Sequence, residues 1–163
     1  HPMYYDGSIG RAKAHLLKTA GEISEEIPGV RAYISVNKAL VTQSSAAIPI
    51  VPLYISILYK VMKEAGTHEG CMEQMYRLFH QKLFGGSVQA DSENRIRMDD
   101  LEMQEDIQKK ISCLWEKISD ENLDECADLD GYWHDFYELF GFDLPGVDYT
   151  ADVDTQVPIE SIK

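Results

Sequence analysis

Residues 30–41, VRAYISVNKALV, decide the fold class of this chain. The segment is rich in β-branched residues and partly alternates between polar and apolar positions, which predicts a strand. Its end, Ala39-Leu40-Val41, is an apolar run that favours burial on both faces, as in a parallel sheet. Because parallel strands need neighbours, we expect this strand to belong to a sheet that the chain itself does not complete.

Helical periodicity predicts most of the remaining structure. The segment 8–27 has one apolar face and is closed by Pro28-Gly29, and a second helix runs from about Leu53 to Ala65 before Gly66. The stretch between the strand and this second helix, TQSSAAIPIVP, is predicted to be a loop because its prolines prevent a long regular helix. Further helices are predicted after Thr67, which could cap its helix, at 120–127 and at 130–140, and the tail from Gly141 is predicted to be irregular.

Two local signals lie between these helices. The stretch SVQADSENRIRM, residues 87–98, predicts a small hairpin that turns at DSEN. Asp99 and Glu102 have the spacing of a capping box, in which two side chains satisfy the first backbone N–H groups of a helix. They predict the start of a helix whose apolar face carries Ile107 and Ile111. The fold class is therefore α/β, mostly helical, with one buried strand of the parallel type and a small hairpin.

Composition predicts a single unit spanning residues 1–163. Apolar residues make up 44% of the chain and charged residues 26%, as in an ordinary globular domain. The formal net charge of −13 argues against nucleic acid, whose phosphates attract Lys and Arg, and against an anionic membrane surface. No stretch approaches the roughly 20 consecutive apolar residues of a membrane-spanning helix, so we expect no membrane partner.

The three cysteines, Cys71, Cys113 and Cys126, predict a reducing compartment. They are widely spaced and form no Cys-x-x-Cys pair, so neither a disulfide framework nor a zinc site is expected. His68 and Glu69 stand near Cys71, but their spacing matches no compact metal site. We therefore predict a cytoplasmic protein with free thiols and no metal.

Tyr4 and Lys13 are the candidate catalytic pair. A phenol can donate a hydrogen bond to a carbonyl oxygen that gains negative charge during a reaction. A nearby ammonium group favours that charge, lowers the pKa of the phenol and can hold the ribose hydroxyls of a cofactor. The alternative reading is that Tyr4 is an ordinary packing residue and Lys13 an ordinary solvated lysine, because a tyrosine and a lysine alone are a weak motif.

Several blocks of the sequence, taken together, resemble a known family. They are YYDGSIGRAK, SVNKALVTQSSAAIP, PLYISILYKVMKEAGTHEGCMEQ, RIRMDDLEMQEDIQ and GFDLPGVDYTADV, in that order. They are similar to the carboxy-terminal part of the trans-2-enoyl-CoA and enoyl-ACP reductases, monomeric NADH-dependent oxidoreductases related to enlarged short-chain dehydrogenases. The resemblance covers essentially the whole chain. The family signature is a tyrosine, eight residues and a lysine, and Tyr4 and Lys13 match it at both ends.

The resemblance implies a Rossmann-like reductase of which this chain is the carboxy-terminal part. The dinucleotide-binding half of the family, with its glycine-rich turn for the pyrophosphate, is not found in this sequence and is the expected partner of the chain. The implied reaction reduces a trans-2-enoyl thioester of CoA or acyl-carrier protein with NADH, in fatty acid synthesis. The chain alone is expected to be inactive.

The resemblance also assigns roles to individual residues. Tyr4 is implied as the proton donor to the thioester, and Lys13 as the residue that contacts the cofactor beside it. Contacts with the cofactor are implied for Ala39, Leu40 and Val41, and a place in the substrate pocket for Thr42, Phe136 and Tyr137. The loop SSAAIPIVP and the helix after it are implied as the wall that receives the acyl chain. Two other hypotheses remain open: a non-catalytic helical interaction module, and a reductase of the same class that acts on carbonyl compounds.

Overall fold

The computed structural model describes residues 6–156. In chain order these residues form the following elements: α1 (Ser8–Glu26), β1 (Ile34–Val36), α2 (Gln43–Ala46), α3 (Val51–Glu64), α4 (Cys71–Arg77) with a π-helical continuation (Leu78–Leu83), β2 (Arg95–Arg97), α5 (Glu105–Lys117), α6 (Leu123–Cys126) and α7 (Leu129–Glu138). The predicted mostly helical character and the parallel strand are confirmed.

The sheet differs from the prediction in two respects. β1 and β2 pair in parallel with Ile34 opposite Arg95, so the described part of the chain has two strands where one was predicted. The predicted hairpin is wrong, because only its turn is present: the Asp91 N–H donates to the Arg95 carbonyl at 2.9 Å, and the strand that follows joins β1. A parallel partner requires a long crossover, and three helices lie between the two strands.

Helix α3 is the central element of the core. Seven of its residues from Ile55 to Met62 are buried, on all sides of the helix, as expected for an apolar helix enclosed by neighbours. Pro52 lies in its first turn, where a missing N–H costs nothing, and the left-handed Gly66 follows its end. α5 packs on one side of α3 through Ile107 and Ile111. The predicted helix from 53 to 65 is thus confirmed within two residues.

Helix α1 matches the prediction for 8–27 but stands largely clear of the rest. Its only buried residue is Ala20. Its connection to the following segment runs through Ser24, whose hydroxyl oxygen accepts the Ala32 N–H at 3.0 Å. Leu16 and Ile23, two of the residues on its apolar face, remain exposed, so nothing within residues 6–156 covers that face fully.

Helix α4 begins at Cys71 with Gly70 as its N-cap, so the prediction that Thr67 caps it is wrong. Arg77 at its end joins three parts of the chain. Its guanidinium donates to both carboxylate oxygens of Glu69, at 2.6 and 2.8 Å, and to Asp100 at 2.8 Å. The bidentate pair with Glu69 orients the guanidinium, and the bond to Asp100 connects α4 to the segment that follows β2.

The predicted capping box at Asp99 and Glu102 is also wrong. The helix starts only at Glu105, and the Asp99 carboxylate instead accepts two hydrogen bonds from Arg97, at 2.7 and 2.6 Å. Glu102 turns inward, away from the helix start, and is 6% exposed. The carboxylate that sequence spacing assigns to a cap therefore lies inside the molecule.

The last part of the described chain agrees with prediction. α6 and α7 fall within or next to the predicted segments 120–127 and 130–140, and the chain from Gly141 to 156 is irregular. The loop predicted between the strand and α3 contains one short helix, α2. None of the helices between residues 6 and 156 combines the length and hydropathy of a membrane-spanning segment.

Candidate active site

The candidate site lies where the chain leaves β1. Beyond Val36 the sheet hydrogen bonds stop, and side chains from distant elements bind the backbone instead. The Lys38 N–H donates to Gln74 at 3.1 Å and the Ala39 N–H donates to the Glu102 carboxylate at 2.8 Å. The predicted strand 30–41 is therefore regular only over its centre. Its end is held in a fixed, non-sheet conformation by polar side chains.

The same kind of bonding continues to Thr42. Ser45 donates through its hydroxyl to the Leu40 carbonyl at 3.0 Å, and its hydroxyl oxygen accepts the Thr42 N–H at 2.8 Å. In return, the Ser45 N–H donates to the Thr42 hydroxyl oxygen at 3.0 Å. Thr42 is thus the N-cap of α2 in a reciprocal capping box, and its side chain is exposed at the surface.

Val41 and Phe136 share one aromatic cluster. Val41 is buried with Ile55, Tyr59 and Tyr132, and Phe136 packs against this group from α7. Tyr137 is farther out, with 45% of its surface exposed, and stacks on Trp133 at 6.0 Å between ring centroids. The structure therefore brings together the predicted cofactor residue Val41 and the predicted pocket residue Phe136, whereas Tyr137 lies at the margin.

The predicted catalytic pair is only partly described. Tyr4 lies outside residues 6–156. Lys13 is exposed on α1, and its ammonium group forms no ion pair or hydrogen bond with another residue in that range. No contact of this kind joins it to the segment 39–42, so within the described chain Lys13 is a free cation on an uncovered helix.

A buried lysine next to this segment was missed from sequence. Lys38 is 2% exposed, and its ammonium group donates to the Ala39 carbonyl at 3.0 Å. It also lies 5.0 Å from the centre of the Tyr59 ring, within the range of a cation–π interaction. Burial lowers the pKa of Lys38 to about 8, against the opposing attraction of Glu102. One feature of the sequence could have indicated this burial, because Lys38 directly precedes the apolar run Ala39-Leu40-Val41.

The ring of Tyr59 is the centre of a small polar cluster around this lysine. Its hydroxyl donates to Asp135 at 2.7 Å, and burial together with that bond raises its pKa. His68 meets the same ring edge-on at 4.4 Å between centroids. Burial, and then the positive charges of Lys38 and Lys63, lower the pKa of His68, so its imidazole is neutral at pH 7.

A groove of about 520 Å³ opens beside the first turn of α3. It lies between that turn and α5, and its walls include Ile50, Tyr54, Ile111 and Trp115. Ile50 has a positive φ of 74°, a conformation that a β-branched residue rarely adopts and that costs energy. The loop before α3 and the helix itself, which we expected to receive an acyl chain, thus do form one wall of an apolar groove.

Comparison with known proteins gives two family matches along the chain. Residues 1–84 match the family described as the trans-2-enoyl-CoA reductase catalytic region, and residues 90–153 match one described as an enoyl reductase FAD binding domain. The first match alone covers more than half of the chain.

Individual relatives agree with the family matches. A trans-2-enoyl-CoA reductase [NADH] of Clostridium perfringens is 60% identical over 156 residues, which are 94% of this chain and 40% of the relative. An enoyl-[acyl-carrier-protein] reductase [NADH] of Flavobacterium johnsoniae is 56% identical over 99% of this chain and 41% of its own length. The chain therefore spans about 40% of the curated relatives it matches.

A solved structure extends the likeness to the fold. The crystal structure of Treponema denticola trans-2-enoyl-CoA reductase, in complex with NAD, matches with a TM-score of 0.87 and 51% sequence identity. The match covers 93% of this chain and 38% of that one.

The second family description names a flavin, but the residues of segment 90–153 do not fit one. A flavin dinucleotide carries a pyrophosphate, which proteins hold with glycine-rich turns, helix amino termini or basic side chains. The segment has 19 acidic and 5 basic residues. Both of its arginines are paired with carboxylates, Arg95 with Asp91 and Arg97 with Asp99. The first turns of α5 and α7 are acidic as well, so no chemistry is assigned to a flavin here.

No group of three or more potential metal ligands occurs within residues 6–156 either. The features specific to this chain are the polar side chains that fix the segment after β1, the aromatic cluster beneath Val41 and the nearby groove. Together with the family match over residues 1–84 and the identity to full-length relatives, they lead to one conclusion: the chain belongs to the trans-2-enoyl-CoA reductase family.

Proposed function

We propose that this chain is the carboxy-terminal part of an NADH-dependent oxidoreductase that reduces trans-2-enoyl thioesters to acyl thioesters, in fatty acid synthesis. The proposal rests on the names of the curated relatives that match nearly the whole chain. They are NADH-dependent reductases of enoyl-CoA in one case and of enoyl-ACP in the other. Either thioester is a candidate substrate.

The remaining part of the reductase supplies what this chain lacks. We propose that the parallel pair β1–β2 continues into a larger Rossmann-like sheet, formed with residues outside the chain described here. That sheet would carry the glycine-rich turn for the cofactor pyrophosphate. The exposed apolar side chains Leu16 and Ile23 of α1 support this arrangement, because they offer a face for such a neighbour to cover.

Tyr4 and Lys13 perform the proton chemistry in this proposal. When bound, the nicotinamide of NADH supplies a hydride to the β-carbon of the substrate. The thioester oxygen then gains negative charge, which the Tyr4 hydroxyl stabilises by donating a hydrogen bond and then a proton. Lys13, which has no ion-pair partner within residues 6–156, contacts the ribose hydroxyls of the cofactor and keeps the surroundings of the phenol positive.

The segment 39–42 lines the reacting end of the cofactor. Its backbone is fixed by side chains, so it can hold the nicotinamide in one position relative to the substrate. In the proposal Ala39, Leu40 and Val41 contact the cofactor, and Thr42 lies at the mouth of the substrate pocket. This is consistent with the site that parallel sheets use, namely the carboxyl ends of their strands.

In the proposal the first turns of α3 form one wall of the acyl pocket, and Phe136 and Tyr137 form its outer wall. The packing of Phe136 on the cluster that contains Val41 supports this role, because it is an apolar contact beside a residue that we assign to the cofactor. Tyr137 closes the margin through its contacts with Phe136 and Trp133. We also propose a cytoplasmic location, since the free thiols of Cys71 and Cys113 are exposed and suit a reducing compartment.

The proposal is tested in the full-length reductase. Where necessary it is reconstituted by joining this chain to the preceding residues of the Clostridium perfringens relative. NADH oxidation is followed at 340 nm with crotonyl-CoA, with crotonyl-ACP and with a simple ketone. We expect turnover with one or both thioesters and none with the ketone. Turnover with the ketone alone would mean that the substrates are carbonyl compounds and not enoyl thioesters.

The catalytic residue is tested in the same assay. Tyr4→Phe should lower kcat with the thioester by about a hundredfold or more, because general acid catalysis typically contributes that much. Tyr5→Phe is the matched control, since it removes the neighbouring hydroxyl and should retain activity within about twofold. Undiminished turnover in Tyr4→Phe, with the circular dichroism of the wild type, would remove Tyr4 from the mechanism.

A further inference from the structure

Glu102 is a buried carboxylate that forms no ion pair with any residue between 6 and 156. Its two oxygens instead accept one hydrogen bond each: Oε2 from the Ala39 N–H at 2.8 Å, and Oε1 from the Tyr54 hydroxyl at 2.6 Å. A buried carboxyl group is costly unless its hydrogen bonds are made, and these two bonds give each oxygen of Glu102 a partner inside the protein.

The two donors come from the two sides of the proposed site. Ala39 begins the segment after β1 that we assign to the cofactor, and Tyr54 lies in the first turns of α3, on the wall of the 520 Å³ groove. They are 15 positions apart in sequence, and Glu102 reaches both from beyond β2. One side chain thus links the proposed cofactor contact to the proposed acyl wall.

Neighbouring groups keep this link rigid. Gln108 donates to the Glu102 carbonyl at 2.8 Å and also lies 3.5 Å from the Tyr54 hydroxyl oxygen. On the other side of Ala39, Lys38 donates to its carbonyl at 3.0 Å. Both polar ends of Ala39, its N–H and its C=O, are therefore held by charged side chains and not by a neighbouring strand.

We propose that Glu102 is a positioning residue of the reductase: through the Ala39 N–H and the Tyr54 hydroxyl it sets the distance between the segment that contacts the nicotinamide and the helix that receives the acyl chain. This inference rests on the proposed function. It adds a residue that touches neither substrate nor cofactor and acts through two that line the site. Small displacements of reacting groups reduce rates steeply, so a loss of this link should appear in turnover.

The test compares three substitutions, two at Glu102 and one at its partner Tyr54, in the full-length reductase reconstituted as above. Glu102→Ala removes both acceptors. Glu102→Gln keeps the size and can accept the Ala39 N–H through its oxygen while donating to the Tyr54 hydroxyl oxygen. Tyr54→Phe removes one of the two links. The matched control is Glu105→Ala, because Glu105 is highly exposed and lies three residues further on.

We expect Glu102→Ala to lower kcat at least about tenfold and to raise the KM for the enoyl thioester several-fold. Glu102→Gln should restore both values to within about threefold, and Glu105→Ala should match the wild type. Glu102→Ala combined with Tyr54→Phe should be no worse than Glu102→Ala alone, because both act through one link. Circular dichroism and the unfolding midpoint are recorded for every variant.

Each result decides the proposal. A lower apparent kcat with unchanged KM, in proportion to a lower folded fraction, would mean that Glu102 only stabilises the fold, and would overturn the positioning role. Wild-type activity in Glu102→Ala would also overturn it. A wild-type enzyme that reduces no enoyl thioester would instead overturn the proposed function. In that case the distances in Glu102→Ala crystals would still decide whether the segment and the helix separate.

Discussion

Replacement of Lys38 by methionine tests the physical account of the site's interior. Lys38 is 2% exposed and its pKa is lowered to about 8 by burial. Methionine keeps an unbranched apolar stem of similar reach and removes only the charge and the donor to the Ala39 carbonyl. The comparison therefore isolates the energetic effect of a cation held in the core beside Tyr59.

The magnitude follows from the shift in pKa. A change from 10.5 to about 8 corresponds to a difference of about 3 kcal/mol between the charged and neutral forms. Below pH 8 both folded and unfolded chains carry the proton, and the full cost of burying the charge is present. Between pH 8 and 10.5 the unfolded chain binds more protons, so the free energy of unfolding rises with pH.

We therefore expect the free energy of unfolding of the wild type, minus that of Lys38→Met, to increase by about 2.5 kcal/mol from pH 7 to pH 10. Urea unfolding at fixed pH measures it, with the two tryptophans as fluorescent probes. Tyr54 and Tyr59 have raised pKa values in the folded protein and add no ionisation there below pH 10. Contributions of all other groups cancel in the difference between the two proteins.

A direct titration completes the test. In protein labelled with ¹³C at the lysine ε-carbon, one resonance should titrate near pH 8 and should be absent from Lys38→Met. A Lys38 resonance that titrates above pH 10, together with a pH-independent stability difference, would refute the reasoning from burial.

Two further predictions concern the link between α4 and the segment after β2, and the first helix. Arg77→Lys should destabilise the protein by about 2 kcal/mol in urea unfolding, because a lysine cannot replace bidentate bonds to Glu69 together with one to Asp100. Replacement of the exposed Lys109 is the control and should change the free energy of unfolding by less than about 0.5 kcal/mol. Equal effects of the two substitutions would contradict the role assigned to the Arg77 guanidinium. Lys13→Met should lower kcat/KM for the thioester at least about tenfold in the full-length reductase. Lys18→Met, on the same helix, is the control. A Lys13→Met variant with the kcat/KM of the wild type would mean that other residues contact the cofactor.

The elements with strong local signals were predictable from the sequence. The apolar run of α3, its proline near the start and its glycine after the end placed that helix within two residues. The class of the strand also followed from its composition. These features depend on neighbours in sequence, so sequence patterns report them well.

The errors arose where long-range partners decided the structure. The segment RIRM was assigned to a hairpin because its turn is local, yet the strand pairs with β1, about 60 positions earlier. Glu102 has the spacing of a capping residue, but its carboxylate accepts hydrogen bonds from the Ala39 N–H and the Tyr54 hydroxyl instead of from the start of a helix. Spacing within a helix start cannot reveal donors that only the tertiary fold brings near.

The candidate site was predictable only in part for the same reason. The block SVNKALVT pointed to the segment 39–42, and the structure shows that segment fixed above an aromatic cluster. Nothing local in the sequence links Lys38 to Tyr59, or Asp135 to the same ring. The roles given to Tyr4 and Lys13 remain predictions that came from the family resemblance and not from the fold.

The central claim is that hydride moves from NADH to the β-carbon of an enoyl thioester at this site. The most direct measurement uses NADH carrying deuterium at C4 of the nicotinamide, with crotonyl-CoA or crotonyl-ACP and the full-length reductase, and locates the label in the product by ²H NMR. The account predicts one deuterium at C3 of the butyryl group and a solvent-derived hydrogen at C2. A product without deuterium at C3, or with the label at C2, would contradict it.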